Sequence, residues 1–178
     1  RWREPQPVQP WSDIRVATEW GPRCVQSNRL GDLDPLNKRM GEDCLYLNIW
    51  TPAKSADDSL PVMVWIHGGS NLNGAGSQPE YDGSNLASKG VVVVTINYRL
   101  DIFGFLAHPE LTKESGKGSG NFGLQDQIAG AQVRPSLQHD ERLARGGRDR
   151  LQMQRARSAH DGRGDELVGH VEVEHLAV

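Results

Sequence analysis

The sequence predicts an α/β fold built on a partly parallel sheet, and three stretches carry that expectation. Residues 44–51 (CLYLNIWT) alternate, with Leu45, Leu47 and Ile49 on one side, as a half-buried strand does. Residues 62–67 (VMVWIH) and 91–98 (VVVVTINY) are short, nearly unbroken apolar runs, the second β-branched almost throughout. Strands apolar on both faces suit the interior of a sheet covered on both sides.

The elements follow in order. Pro5, Pro7 and Pro10 keep the opening segment extended and irregular. The strand at 44–51 is stopped by Pro52, and the polar stretch 53–60 (AKSADDSL) reads as a loop. The strand at 62–67 runs into Gly68-Gly69. Residues 81–89 can supply a crossover helix with Leu86 and Ala87 inward, and Gly90 then introduces the strand at 91–98. The last two strands are expected to be parallel through a right-handed crossover. A further helix opens at Asn121, a good cap, with Leu124, Ile128 and Ala131 at i, i+4 and i+7.

With 178 residues the chain is long enough for one ordinary domain. Its 20 Lys+Arg against 23 Asp+Glu give −3, which argues against a polyanion binder, so no nucleic-acid partner is expected. The longest apolar runs, 62–66 and 91–96, are far too short to span a membrane. The chain opens on Arg1, and no charged-then-apolar leader precedes Trp2, so no signal peptide is expected in this stretch. Composition divides the chain in two. Every aromatic residue lies before position 123; residues 133–178 hold no aromatic and no Lys, yet 8 Arg, 8 Asp+Glu and 4 His. Residues 1–132 read as a folding domain; 133–178 read as a poorly ordered or partly helical tail with Leu143, Leu151 and Met153 as sparse apolar points.

Gly68-Gly69-Ser70 follows a buried strand directly. Glycines there let the backbone turn sharply and leave N–H groups pointing outward, donors suited to a developing oxyanion in acyl transfer. A phosphate cradle and a simple strand-ending turn are the competing readings. For the cradle, Gly74-Ala75-Gly76 lacks its third glycine, the place being held by Pro79, and no P-loop Lys-Ser/Thr occurs. No cofactor is implied. Cys24 and Cys44 are the only cysteines: two core thiols in a cytosolic protein, or a bridge in a secreted one.

The string GEDCLYLNIWTP at 41–52 resembles the EDCLYLNxxxP signature of the type B carboxylesterase/cholinesterase-like family. Four more blocks follow the family's order: residues 1–11 with 17–26 (ATEWGPRCVQ), 60–69 (LPVMVWIHGG), 91–105 with Asn97-Tyr98-Arg99, and 120–129 (GNFGLQDQIA). The resemblance covers residues 1–132. It implies an incomplete α/β-hydrolase sheet, the N-terminal part of a domain that cleaves small carboxylic esters with a Ser–Glu/Asp–His triad. It implies secretion or residence in the endoplasmic reticulum lumen. By the same resemblance Cys24 and Cys44 form the family's first disulfide, and the turn after His67 is its oxyanion loop. Where the family has three glycines with the second and third donating, this chain has Gly68, Gly69 and Ser70. Ser70 keeps its N–H but reaches positive φ less freely than glycine.

The family's Gly-x-Ser-x-Gly elbow is absent from these 178 residues. Ser158, with Ala156 and His160 where the elbow needs glycines and no apolar strand before it, is a poor nucleophile candidate. His139, His160, His170 and His175 match neither the family base nor the spacing of a zinc site. The nucleophile, acid and base are thus missing, and the chain alone is expected to be inactive. Two other readings are a non-catalytic cholinesterase-like adhesion module and a nonfunctional truncated product. The tail itself suits a frameshift or mis-spliced segment beginning near Gln132. Such a truncation would leave the strand at 62–67 as an exposed apolar edge.

Overall fold

The computed structural model describes residues 1–7, 17, 19–27, 34, 36–54 and 58–139, with 133–139 as backbone only. Three strands make the main sheet: β3 (Leu47–Trp50), β4 (Val62–Ile66) and β5 (Val92–Ile96), in the order β3-β5-β4. β5 is central, antiparallel to β3 and parallel to β4, with Val64 opposite Val94. Two-residue strands β1 (Arg23–Cys24) and β2 (Met40–Gly41) pair in parallel beside it. The helices are α1 (Ser84–Ala87), α2 (Asp101–Phe105), α3 (Pro109–Ser115) and α4 (Phe122–His139).

One face of the sheet is a continuous aliphatic layer: Leu47 and Ile49 from β3 with Val92, Val94 and Ile96 from β5, extended by Val62 and Val64 of β4. α4 lies over this face. A Cβ on its Gly130 would stand 2.9 Å from the Ile96 side chain, so glycine allows the helix that approach. On the other face Trp50 and Val93 pack against Ala87 of α1 and against Trp20. A third cluster joins Cys24, Cys44 and Leu45 to Tyr98 and Leu100 just beyond β5.

Four expectations are corrected. β3 is buried on both sides rather than half-buried, because Trp20 and α1 cover the face bearing Asn48 and Trp50. The crossover helix is a single turn, and of its two expected inward residues only Ala87 is buried; Leu86 is exposed. The helix after Asn121 forms, with the Asn121 carbonyl accepting from the Gln125 N–H, but Leu124, Ile128 and Ala131 face outward. Its buried stripe is Phe122, Gly123, Asp126 and Gly130. β4, whose sequence suits a strand covered on both faces, instead leaves Met63, Trp65 and Ile66 more than 40% exposed. Its place beside β5 at the end of the three-stranded order is the exposed apolar edge expected at 62–67.

Candidate functional site

The turn after β4 starts from a fixed point. His67 is buried, its ring stacked on Tyr98 with centroids 4.4 Å apart, and the Tyr98 hydroxyl donates to the His67 carbonyl at 2.9 Å. The imidazole Nδ1 lies 2.8 Å from the Gly68 carbonyl oxygen, which as an acceptor requires the proton on Nδ1. Nε2 is buried with no hydrogen-bond partner, and burial holds the His67 pKa below the ordinary imidazole value.

From this anchor the chain reverses. The Gly69 carbonyl accepts from the N–H groups of Leu72 at 2.9 Å and Asn73 at 3.3 Å. Gly69 sits at φ 109°, and a Cβ there would fall 1.9 Å from the Asn73 carbonyl oxygen, so no other residue fits. Ser70 and Asn71 follow at φ 56° and 60°, both in the left-handed region. That conformation costs a non-glycine residue about 1–2 kcal/mol. The Asn71 carbonyl holds it in place by accepting from the Asp101 N–H at 2.7 Å. The N–H groups of Gly69 and Ser70 donate to no acceptor among the described residues. Chemically the turn is a pair of unspent backbone donors on a braced support, with Ser70 exposed and Gly69 half-buried.

The base of the loop is closed by side-chain amides. Gln26 takes the Gly74 N–H on its Oε1 at 2.7 Å and donates from Nε2 to the Gly74 carbonyl at 2.8 Å. Two residues on, the Gly76 N–H donates to Asn97 Oδ1 at 2.8 Å, while Asn97 Nδ2 donates to the Cys44 carbonyl at 3.0 Å. Cys24 and Cys44 are joined by a disulfide with Cα atoms 4.8 Å apart.

Behind the site, the end of β5 is tied to α4 by a buried ion pair. Asp126 accepts from Arg99 at Nε and Nη2, both 2.7 Å, and from the Arg99 backbone N–H at 3.0 Å. Neither side chain reaches solvent appreciably, at 3% and 0% exposure. Gln26, Arg99 and Asp126 lie within the motif blocks at 17–26, 91–105 and 120–129, but the motifs marked no role for any of them. A lone charge inside an otherwise apolar block was the available signal, since a buried charge demands a partner. Ser158, His160, His170 and His175 lie outside the described residues. A cleft of about 340 Å³ beside the disulfide, lined in part by Arg1, Glu42 and Phe103, shares no residue with the turn. Among the described residues no group of His, Cys, Asp or Glu is arranged to hold a metal, and no helix is long and apolar enough to cross a membrane.

A central strand with one antiparallel and one parallel neighbour, helices on both faces and a glycine turn at the end of the parallel strand make this an incomplete α/β-hydrolase. Solved esterases share it: a PNB esterase superposes with a TM-score of 0.68 at 44% identity, covering 78% of this chain and 28% of that one. A carboxylesterase of Geobacillus stearothermophilus gives 0.60 at 42%, covering 75% and 26%. The chain belongs to the Carboxylesterase family, whose profile matches residues 1–132. Among curated relatives it is 51% identical over 130 residues to a fumonisin B1 esterase of Sphingopyxis macrogoltabida, covering 72% of this chain and 24% of the relative. It is 47% identical over 131 residues to the para-nitrobenzyl esterase of Bacillus subtilis (strain 168), covering 72% and 26%. Against the acetylcholinesterase of Electrophorus electricus the identity is 42% over 135 residues, covering 71% and 21%. The chain thus spans about a quarter of the length of the curated relatives it matches.

Proposed function

We propose that this chain is the N-terminal part of a serine-type carboxylic ester hydrolase and supplies its oxyanion loop, Gly68, Gly69 and Ser70. The observation that carries the reading is the pair of N–H groups at Gly69 and Ser70, which meet no acceptor among the described residues, on a turn braced through the carbonyls of Gly68, Gly69 and Asn71. In acyl transfer such donors stabilise the tetrahedral intermediate's oxygen once a nucleophile has attacked the carbonyl. The ester is a small molecule, in keeping with the esterase relatives. The nucleophile, acid and base are no part of residues 1–132, and the Arg-rich segment 133–178 does not replace them, so the 178-residue chain alone is inactive. The Cys24–Cys44 bridge supports folding in an oxidising compartment, secreted or in the endoplasmic reticulum lumen.

Treatment with a fluorophosphonate probe tests this directly. The purified 178-residue chain is expected to remain unlabelled, because donors without an activated serine cannot form the covalent adduct. A longer chain carrying a Gly-x-Ser-x-Gly elbow after α4 is expected to label. Stoichiometric modification of the short chain at Ser158 would overturn the reading.

A further inference from the structure

We propose that Gln26 is the positioning residue of the oxyanion loop, transmitting the fixed position of the Cys24–Cys44 bridge to the turn that carries Gly69 and Ser70. The proposal rests on the reading of that turn as an oxyanion loop. Its amide is fully used: Oε1 accepts from the Gly74 N–H at 2.7 Å, and Nε2 donates to the carbonyls of Gly74 at 2.8 Å and Cys24 at 3.0 Å. Engaging both backbone groups of one residue, the side chain does what a neighbouring β-strand would do, at a place where no strand is available. Gly74 needs such a grip. It stands at φ 119°, a conformation with many backbone alternatives for glycine, and a Cβ there would lie 2.3 Å from His67 Nδ1.

Its two neighbours define the loop's span. His67 is fixed at one end by Tyr98, and Gly74 at the other by Gln26, with the turn Gly69–Leu72–Asn73 suspended between them. Cys24, whose carbonyl Gln26 also holds, is fixed in turn by the disulfide and by its β1 pairing with Gly41. Gln26 is the side chain through which that rigid corner grips the loop. Asn97 makes a parallel link from Gly76 to Cys44, but two residues past the turn's end.

The test is amide hydrogen exchange and ¹⁵N-resolved spectra of the intact, disulfide-bonded 178-residue chain. Each hydrogen bond contributes about 1 kcal/mol net, so losing the clamp should speed exchange at Gly74 by about 5–30-fold. In Gln26→Ala we expect that acceleration at Gly74 and faster exchange at Leu72 and Asn73. The Gly69 and Ser70 resonances should shift, while Val94 in β5 keeps its protection. Gln26→Glu separates positioning from packing. Its carboxylate accepts from the Gly74 N–H but cannot donate to the Gly74 carbonyl; once protonated it does both. Loop resonances of Gln26→Glu should therefore move toward the wild-type positions as pH falls through the carboxyl's titration, and those of Gln26→Ala should not. Unchanged Gly69 and Ser70 resonances in Gln26→Ala, or no recovery in Gln26→Glu, would overturn the proposal. So would equal loss of Val94 protection in both variants, which would make Gln26 a general stability residue. None of these readouts requires catalysis, so a failed clamp leaves the oxyanion reading to the probe experiment.

Discussion

Truncating Asp126 to alanine removes the acceptor of three hydrogen bonds and strands a guanidinium in the interior. The Arg99 head is 3% exposed, and among the described residues it also meets the Arg3 carbonyl at 2.9 Å and the Phe122 ring at 5.6 Å, neither of which carries a countercharge. Breaking a buried pair from one side costs about 3–5 kcal/mol, because the surviving charge stays desolvated. Set against the roughly 5–15 kcal/mol that a whole domain commands, this loss takes a large share of the stability. With a urea slope of about 1–3 kcal/mol/M, the unfolding midpoint should fall by at least about 1 M. Tryptophan fluorescence reports the transition, since Trp50 is buried and Trp20 packs against it. Two comparisons sharpen the result. Glu4→Ala, which breaks an exposed pair with Lys117 at 2.9 Å, should change stability by less than about 1 kcal/mol. The double variant Arg99→Met/Asp126→Leu should lose less than Asp126→Ala, because it leaves no uncompensated charge. If Asp126→Ala cost no more than Glu4→Ala, the pair would not be holding α4 to the end of β5, and the reasoning would fail.

Reducing the Cys24–Cys44 bridge, which closes a sequence separation of 20, should lower the unfolding free energy by about 3 kcal/mol; matched urea curves with and without reductant measure it, and identical curves would contradict it. His67 has a folded pKa below its ordinary 6.5, so the unfolded chain binds more protons as pH falls. Its contribution is complete above about pH 6.5 and declines below it; His67→Phe, which keeps a ring against Tyr98, should flatten that part of the stability profile, and an unchanged slope would refute the assignment. Met63→Lys places a charge on the open edge of β4, where Met63 is 46% exposed. Light scattering should show slower self-association with little change in unfolding midpoint, and equal scattering would show that the edge is not the sticky surface.

The order of hydrophobic and glycine residues by itself determined the three main strands and the turn after His67, and the motif blocks around GEDCLYLNIWTP at 41–52 carried the family resemblance. Those are local features: alternation at 44–51, short apolar runs at 62–67 and 91–98, and a Gly68-Gly69 pair that ends the strand before it. The disulfide was legible only through the family resemblance, since spacing alone left free thiols equally open. Which face of an element is buried was decided by the tertiary structure. α4 turns Leu124, Ile128 and Ala131 outward because the close approach goes to its glycines: a Cβ at Gly123 would stand 2.3 Å from the Arg99 carbonyl oxygen, and one at Gly130 would press on Ile96. Periodicity marks a helix's apolar stripe but not what lies opposite it. Arg99 finds Asp126 across 27 residues, and Gln26 finds Gly74 across 48, through contacts that exist only once β5, α4 and the disulfide corner have met. Hydrogen bonds between side chains and distant backbone depend on that arrangement of elements and leave no period in the sequence. For that reason the chain's strands could be read from its residues, while the grip on its candidate oxyanion loop could be read only from the fold.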